Sequence, residues 1–172
     1  IYSMTYMGDK NAPQAVLSLS EMLRYLVDNS KDERILLKNE INYVEKYVEF
    51  QRYCLKEGVN LKFTTDIKNS SLTIPPMLLQ PFVENCFKYS GISSKKDAYV
   101  DISLACDETT LSFTARNSKL AVIKQQTTKT KREGVGIKNV IKRLNLTYPD
   151  RHSIDIIDNE SEYEVKLVIN LK

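Results

Sequence analysis

The residues from Tyr163 to Leu171 alternate between apolar and polar side chains and form the clearest strand pattern in this 172-residue chain. Ile154 and Ile156 precede them as a plausible partner strand, and a second pair of alternating segments covers residues 100–104 and 111–115. Segments with apolar residues at helical spacing lie before the first of these strand pairs and between the two pairs. Adjacent antiparallel strands interrupted by helices are typical of an α+β two-layer sandwich, with the helices on one face of a mixed sheet. The sequence predicts that fold class.

Two helices are predicted before the first strand. The first has apolar residues at helical spacing: Val16, Leu19, Leu23 and Leu26. The second is expected from about Glu33 to Glu57, where Gly58 ends it. It is apolar over a wide arc, which indicates cover by the first helix and by either the following domain or a second copy of the chain. We therefore expect a helical segment, residues 1–57, that holds a homodimer together, followed by a domain of residues 58–172.

Composition excludes several classes of protein. The net charge of +3 is small, and no dense basic run is interleaved with aromatic residues, so a nucleic-acid partner is not expected. The three cysteines are widely spaced and form no CxxC motif, which argues against a disulfide framework or a zinc site. No apolar run approaches the roughly 20 residues that span a bilayer. Because the chain begins with isoleucine, we expect it to be a fragment of a longer protein.

The segment from Ile74 to Gly91 is predicted to be a helix that two prolines begin. One face would carry Leu78, Phe82, Asn85 and Tyr89. Glu84, Asn85 and Lys88 would lie within one turn of each other. Buried polar groups without partners cost roughly 1–3 kcal/mol each, and a bound ligand would supply partners. The alternative is a surface helix on which Glu84 and Lys88 pair in water.

Residues 118–133 have no clear period and contain five basic residues against one acid. So long a connection in a compact domain favours a lid or binding loop, although a solvated, disordered loop is the alternative. It leads into GVGIKNVIKRL, residues 134–144, a predicted amphipathic helix. Gly134 and Gly136 would let backbone amides at the helix start approach an anion closely.

Two of these segments, LLQPFVENCFKYSG and GVGIKNVIKRL, resemble the N box and the second glycine box of LytS-type sensor histidine kinases. The upstream SEMLRYLV and LLKNEINYVEKYVEFQRYCL resemble the helices that precede the ATP-binding domain in that family. The resemblance covers about residues 18–172. It implies a Bergerat (GHKL) ATP-binding fold for residues 58–172, the fold also found in type II topoisomerases and some heat-shock chaperones. Residues 1–57 would be the tail of the dimerisation and phosphoacceptor region.

The resemblance also implies an activity and its site. The γ-phosphoryl group of ATP would pass to a histidine upstream of Ile1, for relay to a response regulator, in the cytoplasmic domain of an inner-membrane protein. Asn85 would coordinate Mg²⁺, an ion that prefers oxygen ligands and takes few protein groups. Glu84 would hold a metal-bound water or the attacking group. The other implied nucleotide contacts are Lys88, Tyr89, Asn117, Gly134, Gly136, Asn139 and Arg143.

Three features depart from the family pattern. The first glycine box usually has an aspartate, followed two residues later by glycine, and that aspartate receives the adenine amino group. Here the strand ends in ARNS, so Asn117 would accept the hydrogen bond through its amide oxygen. Tyr89 stands where histidine is common. The only histidine, His152, is expected to be exposed in a turn rather than to accept a phosphoryl group.

Two alternatives remain. The ARNS departure is compatible with a degenerate, non-catalytic kinase-like module for dimerisation and signalling, whose interface would be the wide apolar arc of the second helix. An ATPase of the chaperone or mismatch-repair kind is disfavoured. Those families place a catalytic glutamate four residues before the metal-binding asparagine, and Pro81 stands there in this chain.

Overall fold

A five-stranded mixed sheet lies at the centre of the fold. The computed structural model describes residues 1–29, 31–55, 58–120 and 135–172. Its sheet strands are β2 (Asn60–Ile67), β4 (Tyr99–Cys106), β5 (Thr110–Ser118), β6 (His152–Asp158) and β7 (Glu162–Asn170), and a separate two-stranded pair joins β1 (Ile35–Leu36) to β3 (Thr73–Ile74). The large sheet has the order β2, β4, β5, β7, β6, with β2 parallel to β4 and the other neighbours antiparallel. Both predicted hairpins, β4–β5 and β6–β7, are confirmed.

The helices of the described residues are α1 (Tyr2–Tyr6), α2 (Ala12–Asn29), α3 (Leu37–Cys54), α4 (Gln80–Tyr89) and α5 (Val135–Thr147). Among them, none is both long and apolar enough to cross a membrane. The start of α2 at Ala12 agrees with the predicted helix, whereas α1 lies in a stretch that has no clear period in the sequence.

The strands bury one face of the sheet because their apolar residues alternate. The buried positions include Val100, Ile102, Leu104, Leu111, Phe113, Ala115, Val165, Leu167 and Ile169. Helices α4 and α5 cover this face: the rings of Phe82 and Phe113 lie 6.0 Å apart, and Leu144 and Tyr148 are fully buried. Removing this apolar surface from water is the main stabilising term for the domain. The predicted two-layer α+β fold is therefore confirmed.

The wide apolar arc of α3 is covered from two sides. The rings of Tyr25 in α2 and Tyr43 in α3 have centroids 4.6 Å apart, and Tyr47 packs edge-on against Phe87 of α4 at 5.7 Å. Val44 and its buried neighbours on α3 belong to the same apolar core as the sheet. The division of the chain after residue 57 stays a prediction, and the core is continuous between the two parts.

Two predicted helix starts are wrong. Helix α4 begins at Gln80, not near Ile74, because Ile74 pairs with Ile35 in the β1–β3 ladder. Residues 75–79 form a turn in which Met77 has φ of 60°. Prolines disfavour the helical region for the residue before them, which explains the delayed start. The same ladder moves the start of α3 from the predicted Glu33 to Leu37.

Candidate functional site

One face of α4 joins the start of α5 to the end of β5. Pro81, Asn85 and Tyr89 are four residues apart and therefore share this face. At one end, a Cβ built on Gly136 of α5 would lie 3.7 Å from the Cβ of Pro81. Asn85 is half-buried and lies one helical turn, about 6 Å, further along. The structure thus brings Asn85 close to the glycine end of α5, on the same side of the sheet.

The other end of this face meets the end of β5. The amide of Leu120 donates to the carbonyl of Tyr89 at 3.3 Å, and the hydroxyl of Ser118 donates to the carbonyl of Ser90 at 2.8 Å. Gly91 has φ of +68°, and a Cβ there would come within 2.7 Å of the Leu120 side chain. Only glycine combines that backbone conformation with that approach. These contacts hold the end of β5 beside Tyr89.

Asn117 lies on β5 and is fully buried. It alternates with Ala115 and Phe113, so its side chain faces the helix layer. Its Nδ2 donates to the carbonyl of Ser118 at 2.6 Å, while its Oδ1 has no hydrogen-bond partner among the described residues. A buried acceptor left without a donor costs about 1–3 kcal/mol, and nearly all such groups in native proteins are paired. The amino group of a ligand is a donor that would fit this position.

Glu84 and Lys88 lie on the side of α4 that faces α3. Together they line a groove of about 360 Å³ with Tyr47, Gln51 and Phe87. Gln80 donates a short hydrogen bond to Glu84 Oε1. Burial, and next the negative charge of Glu84, raise the pKa of Tyr47 to about 12. The ammonium of Lys88 lies 4.7 Å from the ring centroid of Tyr89, so Lys88 reaches from this groove toward the Asn85 face.

The predicted site residues on α5 do not all lie in one place. Gly136 lies beside Pro81, and Asn139 is exposed. Arg143 points elsewhere: its Nη1 donates to the carbonyl of Pro76 at 2.6 Å, at the turn before α4. Gly134 and the predicted lid lie almost wholly outside the described residues. The structure therefore places Asn85 and Tyr89 on one face of α4, with Gly136 beside one end of that face and the end of β5, which carries Asn117, beside the other. Glu84 and Lys88 lie on an adjacent side, and Arg143 contacts the turn before α4 instead.

Within the described ranges, no three His, Cys, Asp or Glu side chains come close enough to hold a metal ion. The magnesium site expected from the resemblance is of another kind, in which one or two protein oxygens act together with phosphate oxygens and water, and it stays a prediction. The amide oxygen of Asn85 is the protein group that would take part.

Glu40 is a buried acid that the sequence reasoning missed. It lies on α3 with no exposed surface, and its carboxylate accepts hydrogen bonds from Tyr25 Oη at 2.5 Å, Met77 N at 2.9 Å and Leu79 N at 3.0 Å. Burial raises the pKa of its carboxyl, and the three donors oppose that effect. The signal in the sequence was an acid beside Leu37, Ile41 and Val44, within the apolar arc of the helix.

His152 is half-buried at the start of β6, with Nδ1 2.7 Å from the carbonyl oxygen of Tyr148. The expectation of an exposed turn residue is wrong, because the strand begins at this position. Tyr148, four residues earlier, is fully buried, and Arg34 donates to its hydroxyl at 2.9 Å.

Comparisons with known sequences agree with the motifs. The family model described as histidine kinase matches residues 1–59. The sensor protein LytS of Staphylococcus epidermidis is 22% identical over 180 residues, which cover 100% of this chain and 30% of LytS. The sensor protein kinase HptS of Staphylococcus aureus is 30% identical over 99 residues, which cover 58% of this chain and 19% of HptS. The chain therefore spans less than a third of the length of these relatives.

Two solved structures share the fold. The catalytic domain of histidine kinase ThkA aligns with a TM-score of 0.50 at 15% identity, over 80% of this chain and 95% of that domain. The histidine kinase domain of the blue-light activated kinase of Erythrobacter litoralis aligns with a TM-score of 0.53 at 10% identity, over 98% and 83%. The fold is thus that of a histidine kinase catalytic domain. The sequence matches and the fold together support the resemblance to LytS-type sensor histidine kinases.

Proposed function

We propose that this chain is the ATP-binding catalytic core of its sensor histidine kinase, and that it transfers the γ-phosphoryl group of ATP to a histidine upstream of Ile1. The observation that carries the proposal is the buried Oδ1 of Asn117, which lacks a partner among the described residues and faces the helix layer. An adenine amino group would supply the missing donor. The Asn85 face, which runs from Asn117 to Gly136, supports binding of the rest of the nucleotide along α4.

Each residue would have a limited task, since phosphoryl transfer asks a protein mainly for positioning and charge neutralisation. The amide oxygen of Asn85 would hold Mg²⁺, which would neutralise negative charge on the phosphates. Gly136, and Gly134 before it, would offer backbone amides to phosphate at the start of α5. Tyr89 would pack beside the nucleotide, and the ammonium of Lys88 would lie near phosphate as a point charge.

Glu84 would act on the phosphoacceptor group rather than on the nucleotide. Its side chain faces α3 and the groove with Tyr47 and Gln51. A phosphoacceptor presented from the helical segment would approach α4 from that side. Glu84 would hold and orient the attacking group there.

Magnesium-dependent binding of a non-hydrolysable ATP analogue tests the proposal. Titration calorimetry should show binding by the wild-type chain that weakens strongly when magnesium is chelated. Asn85→Ala should abolish the magnesium-dependent part, and Asn145→Ala, an exposed asparagine on α5, is the matched control that should bind normally. Equal binding by Asn85→Ala would contradict the metal role. A wild-type chain that binds nothing at millimolar concentration would favour the non-catalytic signalling module.

The partners follow from the same proposal. Val16, Leu17 and Leu23 of α2 are each about half exposed, at 47%, 53% and 54%, and a second copy of the chain would cover them as a homodimer. Sedimentation that finds only monomers at high micromolar concentration would contradict this. The phosphoryl group would then pass to a response regulator on the cytoplasmic side of an inner membrane. Transfer from the phosphorylated full-length kinase to a purified receiver domain tests the relay.

A further inference from the structure

The turn before α4 is fixed by a side chain from another helix. Met77 N and Leu79 N both donate to the carboxylate of Glu40, which lies on α3. Leu79 is the N-cap residue of α4 and makes no side-chain cap of its own, and the first turn of α4 contains no acid. Glu40 therefore supplies the acceptor and the negative charge that the start of a helix favours.

The same carboxylate fixes a backbone conformation that is unusual outside glycine. Met77 has φ of 60°, in the left-handed region, and such residues persist only where their surroundings hold them. Its amide donates to Oε2 of Glu40 at 2.9 Å. On the other side of the turn, Arg143 of α5 donates to the carbonyl of Pro76 at 2.6 Å. The start of α4 is thus held between α3 and α5.

Glu40 also connects this turn to α2. The hydroxyl of Tyr25 donates to Oε2 of Glu40, the oxygen that accepts from Met77 N. A displacement of Tyr25 relative to α3 would therefore disturb the carboxylate oxygen that accepts the hydrogen bond from the amide of Met77. Asn85 lies six residues after Leu79 on α4, about 9 Å along the helix axis, and moves with the helix start.

We propose that Glu40 is a positioning residue for phosphoryl transfer, and that it links Tyr25 of α2 to the placement of the metal-binding Asn85. The inference rests on the proposed function. A carboxylate with a merely structural role would affect folding and all ligand binding alike. A positioning role would act chiefly on the part of nucleotide binding that depends on magnesium, because that part requires Asn85 in the correct place.

The test uses Glu40→Gln and Tyr25→Phe, with Tyr43→Phe as the matched control. Tyr43 packs against Tyr25 on the same pair of helices, and its hydroxyl does not donate to Glu40 in the structure. Affinity for the ATP analogue is measured with magnesium and with chelator, and amide hydrogen exchange is measured in residues 77–85. We expect Glu40→Gln to weaken the magnesium-dependent affinity about tenfold and Tyr25→Phe to weaken it about threefold, as the loss of hydrogen bonds would.

Affinity in chelator should change less than twofold, and Tyr43→Phe should match the wild type in both conditions. Both test variants should exchange faster in residues 77–85. Unchanged exchange in Tyr25→Phe would overturn the link whatever the nucleotide result. Equal losses of affinity with and without magnesium would overturn the positioning role. If Glu40→Gln does not fold, Tyr25→Phe decides alone. A wild-type chain that binds no nucleotide would instead refute the proposed function, and the positioning role with it.

Discussion

Substitution of Asn117 distinguishes a role in binding a ligand from a role in stabilising the fold. Replacing it with alanine removes the hydrogen bond from Nδ2 to the Ser118 carbonyl, worth about 0.5–1.5 kcal/mol. The same replacement removes a buried acceptor that has no partner among the described residues, which relieves about 1–3 kcal/mol. The two effects oppose each other. We therefore expect Asn117→Ala to change the free energy of unfolding without ligand by between about −0.5 and +2.5 kcal/mol, although the position is fully buried.

Nucleotide selectivity should respond differently. If Oδ1 accepts from the adenine amino group, Asn117→Ala loses about 0.5–1.5 kcal/mol of binding, which is roughly 2- to 13-fold in dissociation constant. An inosine triphosphate analogue lacks the amino group, and its affinity should hardly change. The preference of the wild type for adenine over hypoxanthine should therefore disappear in the variant. Titration calorimetry with both analogues measures the ratio, and urea unfolding at 25 °C measures stability.

Arg116→Ala is the matched control, since Arg116 precedes Asn117 and lies on the exposed face of β5, where it pairs with Glu162. An exposed ion pair contributes at most about 1 kcal/mol, and the variant should keep the adenine preference. Two results would refute the reasoning. A loss of more than about 3 kcal/mol of stability in Asn117→Ala would mean that Oδ1 is already paired in the folded chain. An unchanged adenine preference would mean that the acceptor serves no ligand.

Two further predictions concern Gly136 and Glu162. Gly136→Ala should raise the free energy of unfolding by about 0.5–1 kcal/mol, because a Cβ there meets only Pro81, at 3.7 Å, among the described residues, and alanine favours the helix. Calorimetry should nevertheless find weaker binding of the ATP analogue, and a loss of stability in urea would contradict this account. Arg116, and next Tyr99, hold the pKa of the Glu162 carboxyl below its usual value, so its stabilising contribution is present at neutral pH and is lost as the pH falls. Between neutral pH and a pH of about 3, the wild type should lose more stability in urea than Glu162→Gln, and equal losses would exclude this role.

Local patterns in the sequence were sufficient for the hairpins and insufficient for the helix starts. In β4–β5, the alternating apolar residues and the turn lie within a few residues of each other in the chain. The turn acid Asp107 accepts hydrogen bonds from the amides of Thr109 and Thr110. The start of α4 depends instead on the pairing of Ile74 with Ile35, almost forty residues away in the chain. The periodicity within one segment does not contain that information. The positions of the prolines alone therefore predicted a start of α4 that was too early.

The site residues likewise divide into those that local motifs could predict and those that depend on contacts between distant parts of the chain. The boxes pointed to Asn85 and Gly136, and the structure places them on neighbouring elements. The sequence also singled out Asn117, whereas its burial and its unpaired oxygen follow from the sheet register and could not be predicted. Glu40 was missed because an acid on an apolar helix face has a meaning only once its donors, 37 and 39 residues further along, are known.

The geometry of α4 explains how one short helix can serve both the donor and the acceptor of a phosphoryl group. Consecutive helical residues point about 100° apart, so Glu84 and Asn85 cannot face the same surroundings. Asn85 faces the side bounded by Gly136 and the end of β5, while Glu84 faces the groove against α3. Under the proposed function, nucleotide and acceptor approach α4 from these two sides and meet at its outer edge. The adjacency of Glu84 and Asn85 in sequence then sets the distance between the group that binds the metal and the group that orients the attack.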